Sequence, residues 1–434
     1  MPNSVRPGVS LLLFRLLLSL GLLFCSYSAR ADTGVIIYRV YLPAAGYEAV
    51  ELPTLTFRYS DGRPDQTRAP CSRLQQLLSG NGQAHRCAWL LAVNPAILPV
   101  NVAFPDTSAY YWVSTFPLDP ALSLEVKGTY PDARYMSLNL YDQSLSSYQV
   151  DGQWSALADY QIDADAGSLN PWQQTAAPSS ATQSSATQQP AAPGGHFTVT
   201  AVATPDAGSS NTLPLPPLNH DDGPRTGLPP VCRKHCPPLR AFFRPADSGG
   251  LLPNVDNAYI TALHDPMPGE VLVIRAKAPP VPDEVLDNHP HPWPPESGLR
   301  YWSICNNLYL RPYPVVYNRR WLRPAESGCL ADSNIKLDAQ GSYTVIVGHP
   351  MVDRSTLPDD MNWLSNSALL PRHRHKLILR HMLSFNVPQA IQQVTQDNDP
   401  ASAHAIMQEY YPRITTCKLS TVRQQGWQAC VPTS

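Results

Sequence analysis

The stretch SGLRYWSICNNLYLRP at residues 297–312 decides the fold, because a related stretch, ARYMSLNLYD, occurs at residues 133–142. Both contain Arg-Tyr-x-Ser followed by alternating apolar and polar residues. That alternation is typical of a β-strand with one buried face, because successive side chains of a strand point to opposite sides. The pair indicates that one β-rich unit occurs twice in the chain.

The segments around these two strands repeat as well. AYYWVSTFPLDP at residues 109–120 and AYITALHDP at residues 258–266 each lead, through an apolar run, to the Arg-Tyr-x-Ser strand. Downstream, HFTVTAVATP at residues 196–205 matches SYTVIVGHP at residues 342–350. We therefore predict a mainly β protein with two related β-sandwich or jelly-roll-like units and a few short helices.

The composition agrees with many short strands. Charged residues make up only 15% of the 434 residues, against roughly 25% in an average soluble protein. The 46 prolines are about twice the usual share, and they favour turns over long helices. A chain of this length can form two or three domains with substantial cores.

Residues 1–31 have the pattern of a secretory signal peptide. Arg6 supplies a positive start, residues 9–24 are mostly apolar, and Ala-Arg-Ala precedes Asp32 as a cleavage site. A retained membrane anchor is the alternative, but Arg15 interrupts the apolar length needed to cross a bilayer of about 30 Å. We expect the mature protein to be secreted or periplasmic and soluble after cleavage, with envelope association as an option.

The charge balance of the mature chain argues against a nucleic-acid partner. Loss of Arg6, Arg15 and Arg30 leaves 29 of the 32 basic residues against 34 acidic ones, a net charge of −5. A protein that binds nucleic acid would need a basic face. We therefore expect a small-molecule or glycan ligand, no nucleic acid and no cofactor. The sequence does not indicate an oligomeric state.

Eight cysteines remain after Cys25, one of the nine, is removed with the signal peptide. An even number in an exported protein predicts disulfides. Many pairings are possible, and short loop closure favours neighbours in sequence. The predicted pairs are Cys71 with Cys87, Cys232 with Cys236, Cys305 with Cys329, and Cys417 with Cys430.

These features divide the mature chain into two units and a link. The first β unit spans residues 32–212 and contains a flexible Ala/Ser/Gln/Pro-rich insertion at residues 173–195. A proline-rich link at residues 213–240 leads to the second β unit at residues 241–434. The second unit ends in a predicted helix, ASAHAIMQEYY, and in a tail held by a disulfide.

The first strand of the chain has an unexpected position. GVIIYRVYL at residues 34–42 resembles LILRHML at residues 377–383, which lies late in the second unit, whereas its counterpart precedes the rest of the first unit. Either the first unit is circularly permuted, or its N-terminal strand crosses over to close a sheet. Permutation is physically accessible, because chain termini often lie close together.

CRKHCP at residues 232–237 is the sharpest candidate metal site. Cys232, His235 and Cys236 offer two thiolates and an imidazole, a set suited to copper(I) or zinc. We favour a disulfide between the two cysteines that closes a tight loop, because the chain is predicted to be exported.

Two sets of histidines are weaker candidates. His289 and His291 lie in a proline-rich segment, and they either face one metal or ligand or are exposed on an extended loop. His373, His375 and His381 would share one face of a strand. Basic residues between them disfavour a divalent cation, so a solvated strand entry is the simpler interpretation.

The repeated Arg-Tyr pairs allow two interpretations. They form a duplicated ligand site, or they are duplicated scaffolding in which each arginine binds a carboxylate or carbonyl groups at a strand end. Aromatic side chains that faced outward would line a groove between the units. The residues predicted to bind a ligand there are Trp112, Arg134, Tyr135, Arg300, Tyr301 and Trp302.

Common catalytic signatures are absent from the sequence. It contains no Gly-x-Ser-x-Gly elbow, phosphate loop, dinucleotide glycine fingerprint or His-Glu-x-x-His. Their absence argues against elbow-type serine hydrolases, nucleotide enzymes and common zinc proteases. A glycosidase stays open, because its two carboxylates have no short motif. No catalytic residue is predicted.

The second unit resembles exported bacterial proteins of unknown function with DUF1214- and DUF1254-like β domains. The resemblance lies in RYWS at residues 300–303, GSYTV at 341–345, NWL at 362–364 and LILR at 377–380. The first unit is similar through its own Arg-Tyr, ALADYQI and IIYRVYLP segments. The resemblance implies a β-sandwich or jelly-roll-like fold, and it implies no settled activity and therefore no catalytic residues.

Three functions fit these observations. The first, which we favour, is binding of a small molecule, glycan or envelope component across a groove between the units. The second is a carbohydrate-active or metal-assisted hydrolase in the same groove, and glycoside chemistry there requires two carboxylates about 5 to 10 Å apart. The third is extracytoplasmic copper binding through the CRKHC segment.

Overall fold

The computed structural model shows a mainly β protein, as the sequence predicts, with most strands in four sheets. The predicted signal peptide, most of the predicted insertion and the cysteines of the CRKHC segment lie outside the residues that the structure describes. The described residues are 33–71, 87–95, 101–173, 194–206, 208–217, 240–246, 252–318 and 326–431.

Most strands of both units are short, as the proline content suggests. Those of the first unit are β1 (Thr33–Pro43), β2 (Thr54–Tyr59), β3 (Gln66–Arg68), β4 (Leu91–Val93), β5 (Ala109–Pro117), β6 (Leu122–Thr129), β7 (Ala133–Tyr141), β8 (Gln149–Val150), β9 (Gln153–Trp154), β10 (Ala156–Ala158), β11 (His196–Val202) and β12 (Thr212–Pro214). Those of the second unit are β13 (Asn257–His264), β14 (Glu270–Lys277), β15 (Gly298–Leu308), β16 (Tyr317–Asn318), β17 (Glu326–Ser327), β18 (Cys329–Ala331), β19 (Ser342–Gly348), β20 (Asn362–Ser365), β21 (His375–Phe385) and β22 (Arg413–Lys418).

Helices are few among the described residues. The α-helices are α1 (Pro400–Met407) and α2 (Leu419–Gln425). Short 3₁₀ helices lie at Tyr47–Ala49, Asp159–Gln161, Asp283–Asp287, Asp332–Asn334, Arg354–Thr356, Ile391–Gln393, Gln408–Tyr410 and Trp427–Cys430.

The two units have corresponding sheets. In the first unit the strand orders are β10-β7-β1-β5-β4 and β12-β11-β6-β2-β3. In the second unit they are β18-β15-β21-β13 and β20-β19-β14-β22. The parallel pair β11–β12 has its counterpart in the parallel pair β19–β20. β3 and β4 are additional edge strands of the first unit.

In this correspondence, the first two strands of the chain are equivalent to its last two. β1 lies between β7 and β5, where β21 lies between β15 and β13 in the second unit. β2 pairs with β6, where β22 pairs with β14. The first unit therefore has the strand order of the second unit, with the last two strands moved to the start of the chain.

The sheet β10-β7-β1-β5-β4 of the first unit packs against the sheet β18-β15-β21-β13 of the second. We call these two the larger sheets, because their strands contain more residues than those of the other sheet of each unit. The molecule therefore has four β layers. On β7, Met136, Leu138 and Leu140 belong to the core between the two sheets of the first unit. Tyr135, on the opposite face of the strand, packs with Tyr301 of β15. Burying a large aliphatic side chain stabilises a fold by about 1.5–3 kcal/mol, so both faces of β7 contribute to stability.

The expectation of one buried face for the Arg-Tyr-x-Ser strands is wrong. Every residue of β7 and of β15 is buried. The physical reason is that the polar face of each strand meets the other unit and not water. Alternation in the sequence correctly indicates two different faces, but it does not identify what covers each of them.

The C-terminal helix is shorter than predicted. α1 begins after Asp399, whose side chain accepts a hydrogen bond from the Ala401 N–H at 2.9 Å. It ends at Met407, because Gln408 has a φ of 51°. Ala403 and Met407 are buried in the core of the second unit, so this face of the helix holds the C-terminal segment on the sandwich.

Three of the predicted disulfides are present in the described residues. They are Cys71–Cys87, Cys305–Cys329 and Cys417–Cys430. The second joins β15 to β18, where the two cysteines are directly opposite each other. No described helix has both the length and the apolar character required to cross a membrane.

Candidate functional site at the contact between the units

The predicted Arg-Tyr residues lie where the two larger sheets meet. We call this contact the seam. It buries charged groups from strands of both units and from the loops that precede and follow them. The polar residues of the seam are Arg39, Asp106, Arg134, Tyr135, Asp159, Asp256, Arg300, Tyr301, Asp332 and Arg380.

The two repeated arginines form reciprocal contacts across the seam. Arg134 donates from Nη1 and Nη2 to Asp332 Oδ1 and Oδ2, both at 2.7 Å. Arg300 donates from Nη2 to Asp159 Oδ2 at 3.1 Å. The Nε of each arginine donates to the main-chain carbonyl of the other at 2.9 Å. Each unit therefore supplies one arginine and one aspartate to the other.

The two aspartates occupy equivalent positions in their units. Each follows a short strand, β10 or β18, that ends in Leu-Ala before the aspartate. Asp159 Oδ2 accepts a hydrogen bond from Met136 N at 2.9 Å, and Asp332 Oδ2 accepts one from Trp302 N at 3.1 Å. The Arg-Tyr motifs do not point to Asp332, although the Leu-Ala-Asp that occurs in both units is the signal that would have identified both carboxylates.

A further carboxylate of the first unit is bound by the second unit. Tyr301 Oη and Ser303 Oγ donate to Asp106 Oδ2 at 3.0 and 2.6 Å. Arg380 Nη1 lies 3.4 Å from the same oxygen. Asp106 comes from the loop before β5, so this loop is fixed against the face of β15.

Burial governs the ionisation of the seam. It raises the pKa of Asp159 to about 6, and it also raises the pKa of Asp332. It lowers the pKa of Arg300. Tyr135 donates a hydrogen bond to Asp256, and burial raises the pKa of both groups. Burial sets the direction of these shifts because it disfavours the charged form, and the ion pairs Asp159–Arg300 and Asp332–Arg134 oppose it.

The six residues predicted to bind a ligand do not line an open groove. Trp112 and Trp302 belong to the cores of the two units and not to the seam. The other four are closed inside the seam, because the two sheets pack face to face. The exposed fraction is 5% for Trp112, 2% for Trp302, and 0% for Arg134, Tyr135, Arg300 and Tyr301.

The seam has the properties of scaffolding. Asp106, Asp159, Asp256 and Asp332 are each engaged by an arginine or a tyrosine. A glycosidase needs one carboxyl group to protonate the leaving group and another to act on the sugar or on water. Carboxylates held in buried ion pairs or in a buried tyrosine hydrogen bond offer neither, so the seam gives no support to the hydrolase interpretation.

The predicted histidine run is a solvated strand entry only at His373, which is exposed and precedes β21, because His375 and His381 are fully buried on the strand. His375 Nδ1 donates to His373 O at 2.7 Å, and its Nε2 accepts from Ser367 N at 3.0 Å. Its ring stacks with that of His264 at 5.3 Å, and His264 Nε2 lies 3.2 Å from Asn306 Oδ1. Burial lowers the pKa of His375 to about 3 and that of His264 to about 4.

The histidines of the proline-rich loop bind separate carboxylates. His289 Nδ1 lies 2.7 Å from Asp132 Oδ1, which belongs to the first unit. His291 Nε2 lies 3.0 Å from Asp287 Oδ1. The two rings are therefore not directed at one shared ligand.

The described residues offer one grouping with metal-ligand atoms close together, namely Asp106, Cys305 and Cys329. The two cysteines are joined in a disulfide, so they do not provide thiolates. The candidate copper or zinc ligands Cys232, His235 and Cys236 lie outside the described residues, and that site stays a prediction.

A surface pocket of about 150 Å³ lies at the edge of the first unit. It is formed where the ends of β5 and β12 meet the turn after β5. Its wall is mostly apolar, with one carboxylate. The lining residues are Phe116, Pro117, Leu118, Asp119, Pro120, Ala203, Leu215, Pro216 and Pro217.

Comparisons with known proteins do not assign the chain to a family. No family model and no curated protein matches it. One similar solved structure is an uncharacterised protein from Burkholderia cenocepacia, with a TM-score of 0.42 and 13% identity over 76% of this chain and 82% of that one. Another is the VPA0106 protein from Vibrio parahaemolyticus, with a TM-score of 0.21 and 19% identity over 38% and 31%.

Proposed function

We propose that this chain is an exported protein that acts by binding a small ligand with an apolar ring face, such as one sugar ring of a glycan. The observation that carries the proposal is the pocket beside Phe116 and Leu118, which is concave and lined mainly by apolar groups. The seam supplies the rigid support for this surface, and it takes no part in binding.

The chemistry of the pocket wall suits a flat, partly apolar ring. Leu118 and four prolines present carbon-rich surfaces around Phe116, which is itself only 1% exposed, and the fixed φ of proline reduces the entropy lost when a ligand orders the wall. Asp119 adds a carboxylate that is bound by Arg63 at 2.6 Å. A sugar would place its C–H face on the prolines and a hydroxyl group toward Asp119.

The size of the pocket limits the ligand. Its volume of about 150 Å³ is below the roughly 300–1,000 Å³ of sites that enclose a drug-sized molecule. We therefore expect one ring to enter the pocket while the rest of a larger ligand lies on the surface. Binding of this kind is weak for a single sugar and stronger for an oligosaccharide.

The disulfides support an extracytoplasmic location. Three bridges link segments of the described chain, and such bonds persist in oxidising compartments. The sequence adds the predicted signal peptide. Under this proposal the mature protein meets its ligand in the periplasm or outside the cell.

Saturation-transfer NMR with glucose, N-acetylglucosamine, their short β-linked oligomers and phenol tests the proposal. Ala203 is an exposed residue of the pocket wall, so Ala203→Trp fills the pocket without disturbing the core. Ala45→Trp is the matched control at an exposed position outside the pocket. We expect transfer to at least one sugar in the wild type and in Ala45→Trp, and its loss in Ala203→Trp.

Two results contradict the proposal. The first is the absence of transfer to every probe in the folded wild type. The second is transfer that is unchanged by Ala203→Trp, since a ligand bound elsewhere would not respond to a filled pocket. Saturation transfer to phenol alone would mean that the pocket binds an aromatic ring and not a sugar.

A further inference from the structure

Lys376 is a cation without an anionic partner at the contact between the two units. It lies on β21, and its side chain is half-buried on the face of the strand that carries Arg380. Within the described residues, its Nζ contacts the ring of Phe104 and is repelled by Arg380, and no carboxylate binds it. Nζ is not one of the buried nitrogen atoms that lack a hydrogen-bond partner, so it is in contact with solvent. The amine is therefore open to small reagents.

The ring of Phe104 forms a fixed wall beside this amine. Its centroid lies 4.8 Å from Lys376 Nζ. The Phe104 N–H donates to Tyr313 O at 2.8 Å, and the Phe104 carbonyl accepts from Arg380 Nη2 at 2.6 Å. The ring also stacks on that of Tyr313, with centroids 4.9 Å apart. An aromatic face attracts a cation, but it neither accepts its proton nor supplies a negative charge.

Asn307 of β15 places a hydrogen-bond acceptor beside the amine. It lies directly opposite Lys376, so the two side chains share a face of the sheet, with Cβ atoms about 4.5–5.5 Å apart. Asn307 is fully buried, and its Nδ2 donates to Lys376 O at 3.2 Å. Its Oδ1 accepts from no described residue. On the other side of Lys376, Leu263 of β13 is an apolar neighbour.

The charges around Lys376 favour the neutral amine. Arg380 is the charged group that acts on it. The carboxylates of Asp106 and Asp265 are bound to Arg380 and Arg374, with N–O distances of 3.4 and 2.8 Å. Burial, together with Arg380, lowers the pKa of Lys376 from 10.5 to about 8. At neutral pH, a much larger fraction of this amine is therefore uncharged than of an exposed lysine.

We propose that Lys376 is a reactive amine that condenses with small aldehydes, such as open-chain hydroxyaldehydes, to form an imine. The neutral Nζ attacks the carbonyl carbon, and the electron pair of the C=O π bond moves to the oxygen. A proton then moves from the nitrogen to this oxygen, which gives a carbinolamine. Loss of water forms the C=N bond, so the reaction consumes no oxidant and no reductant.

The neighbours of Lys376 fit the steps of this reaction. A lysine that is partly desolvated beside a second cation, here Arg380, is a nucleophile at neutral pH. Asn307 Oδ1 accepts a hydrogen bond from the hydroxyl group of the carbinolamine. The ring of Phe104 faces the protonated imine, which keeps the positive charge of the lysine. This inference does not depend on the surface pocket.

Reductive trapping with glyceraldehyde tests the proposal. Sodium cyanoborohydride reduces the imine to a stable secondary amine, and peptide mass mapping gives the rate at each lysine of the folded protein. Lys277 is the matched control, because its amine is paired with Glu409. At neutral pH we expect Lys376 to react about tenfold faster than Lys277, because its larger neutral fraction outweighs its smaller exposure. The rate at Lys376 should level off above about pH 8, whereas the rate at Lys277 should continue to rise.

Two variants and an unfolded control complete the test. Asn307→Asp places a carboxylate beside the amine and keeps it protonated, so the rate at Lys376 should fall severalfold at neutral pH. Asn334→Asp adds the same charge at an exposed position and should leave the rate unchanged. In urea that unfolds the chain, Lys376 and Lys277 should react equally.

Equal rates at the two lysines in the folded protein would overturn the proposal. A rate at Lys376 that rises with pH as far as the rate at Lys277 would do the same. This comparison within the wild type decides the question if Asn307→Asp fails to fold.

Discussion

The arginine–aspartate pairs of the seam fix how the two sheets are placed against each other, and they add little to the free energy of unfolding. Arg134 meets Asp332 through two parallel hydrogen bonds, a geometry that fixes both direction and distance. The side chain of Arg134 is fully buried and that of Asp332 is 3% exposed. The cost of removing two such charges from water is about as large as their attraction. The pair therefore selects one arrangement of the two sheets.

Removing one charge of the pair should cost more stability than replacing both. Asp332→Asn leaves the Arg134 guanidinium buried without a counter-charge, so we expect a loss of about 3–5 kcal/mol in the free energy of unfolding. The double variant Arg134→Met, Asp332→Leu replaces the pair with apolar groups and should recover most of that loss. Urea denaturation, with linear extrapolation of the free energy of unfolding, measures both.

The surface pair Lys277–Glu409, whose side chains are 41% and 55% exposed, provides the control. Glu409→Gln should change stability very little, because water already screens this pair. If Asp332→Asn costs no more than Glu409→Gln, the seam charges are not buried as described, and the interpretation of the seam as a fixed scaffold is wrong.

At the scale of the strand, the sequence predicts much of the fold. The paired Arg-Tyr-x-Ser segments are β7 and β15, the apolar runs after the 109–120 and 258–266 segments are β6 and β14, and the similar segments at 34–42 and 377–383 lie within β1 and β21. These matches succeed because strand alternation is a local property and is present in both units.

The contact between the strands was not predictable from the same pattern. Arg134 and Arg300 bond each other's carbonyl groups across 166 positions of sequence. An exposed polar face and a polar face packed on a second sheet have the same alternation, so the sequence predicted a groove where a closed seam exists. The carboxylates were missed because each lies beyond the end of a strand, in a loop or a 3₁₀ turn.

Buried histidines on β21 and its neighbour make the stability of the fold depend on pH. His375 and His381 lie on β21 and His264 on the neighbouring β13, and all three are buried. Burial lowers their pKa values from 6.5 to about 3, 3 and 4 respectively. The unfolded chain binds protons below about pH 6.5 while the native state stays neutral. The stability of this strand pair is therefore complete above pH 6.5 and is lost as the pH falls toward 4.

His264→Gln tests this response. Glutamine can keep the contact with Asn306 but does not titrate, so the variant should lose roughly 3 kcal/mol less than the wild type between pH 7 and pH 4. The exposed His404 gives the control, since His404→Gln should follow the wild type. Urea midpoints measured across this range supply the data, and parallel curves for His264→Gln and the wild type would refute the assignment of His264 as a buried neutral group.

At the scale of the whole molecule, the four β layers act as one body. The middle layers are the two larger sheets, and each shares one core with its own smaller sheet and another with the opposite unit. β1, the first described strand, lies inside this stack with most of its residues buried. Neither unit can open its larger sheet without exposing the apolar and charged residues of the seam.

We therefore predict that both units unfold in a single transition, although multi-domain chains often unfold in steps. Ala158 and Ala331 are small residues buried in the seam and absent from the two sandwich cores. Ala158→Glu should separate the units by placing bulk and an unpaired charge between them, and calorimetry should then resolve two transitions. Ala45→Glu, at an exposed site, should keep one. Two transitions in the wild type would show that each sandwich is stable alone, and the seam would then be a contact between independent domains.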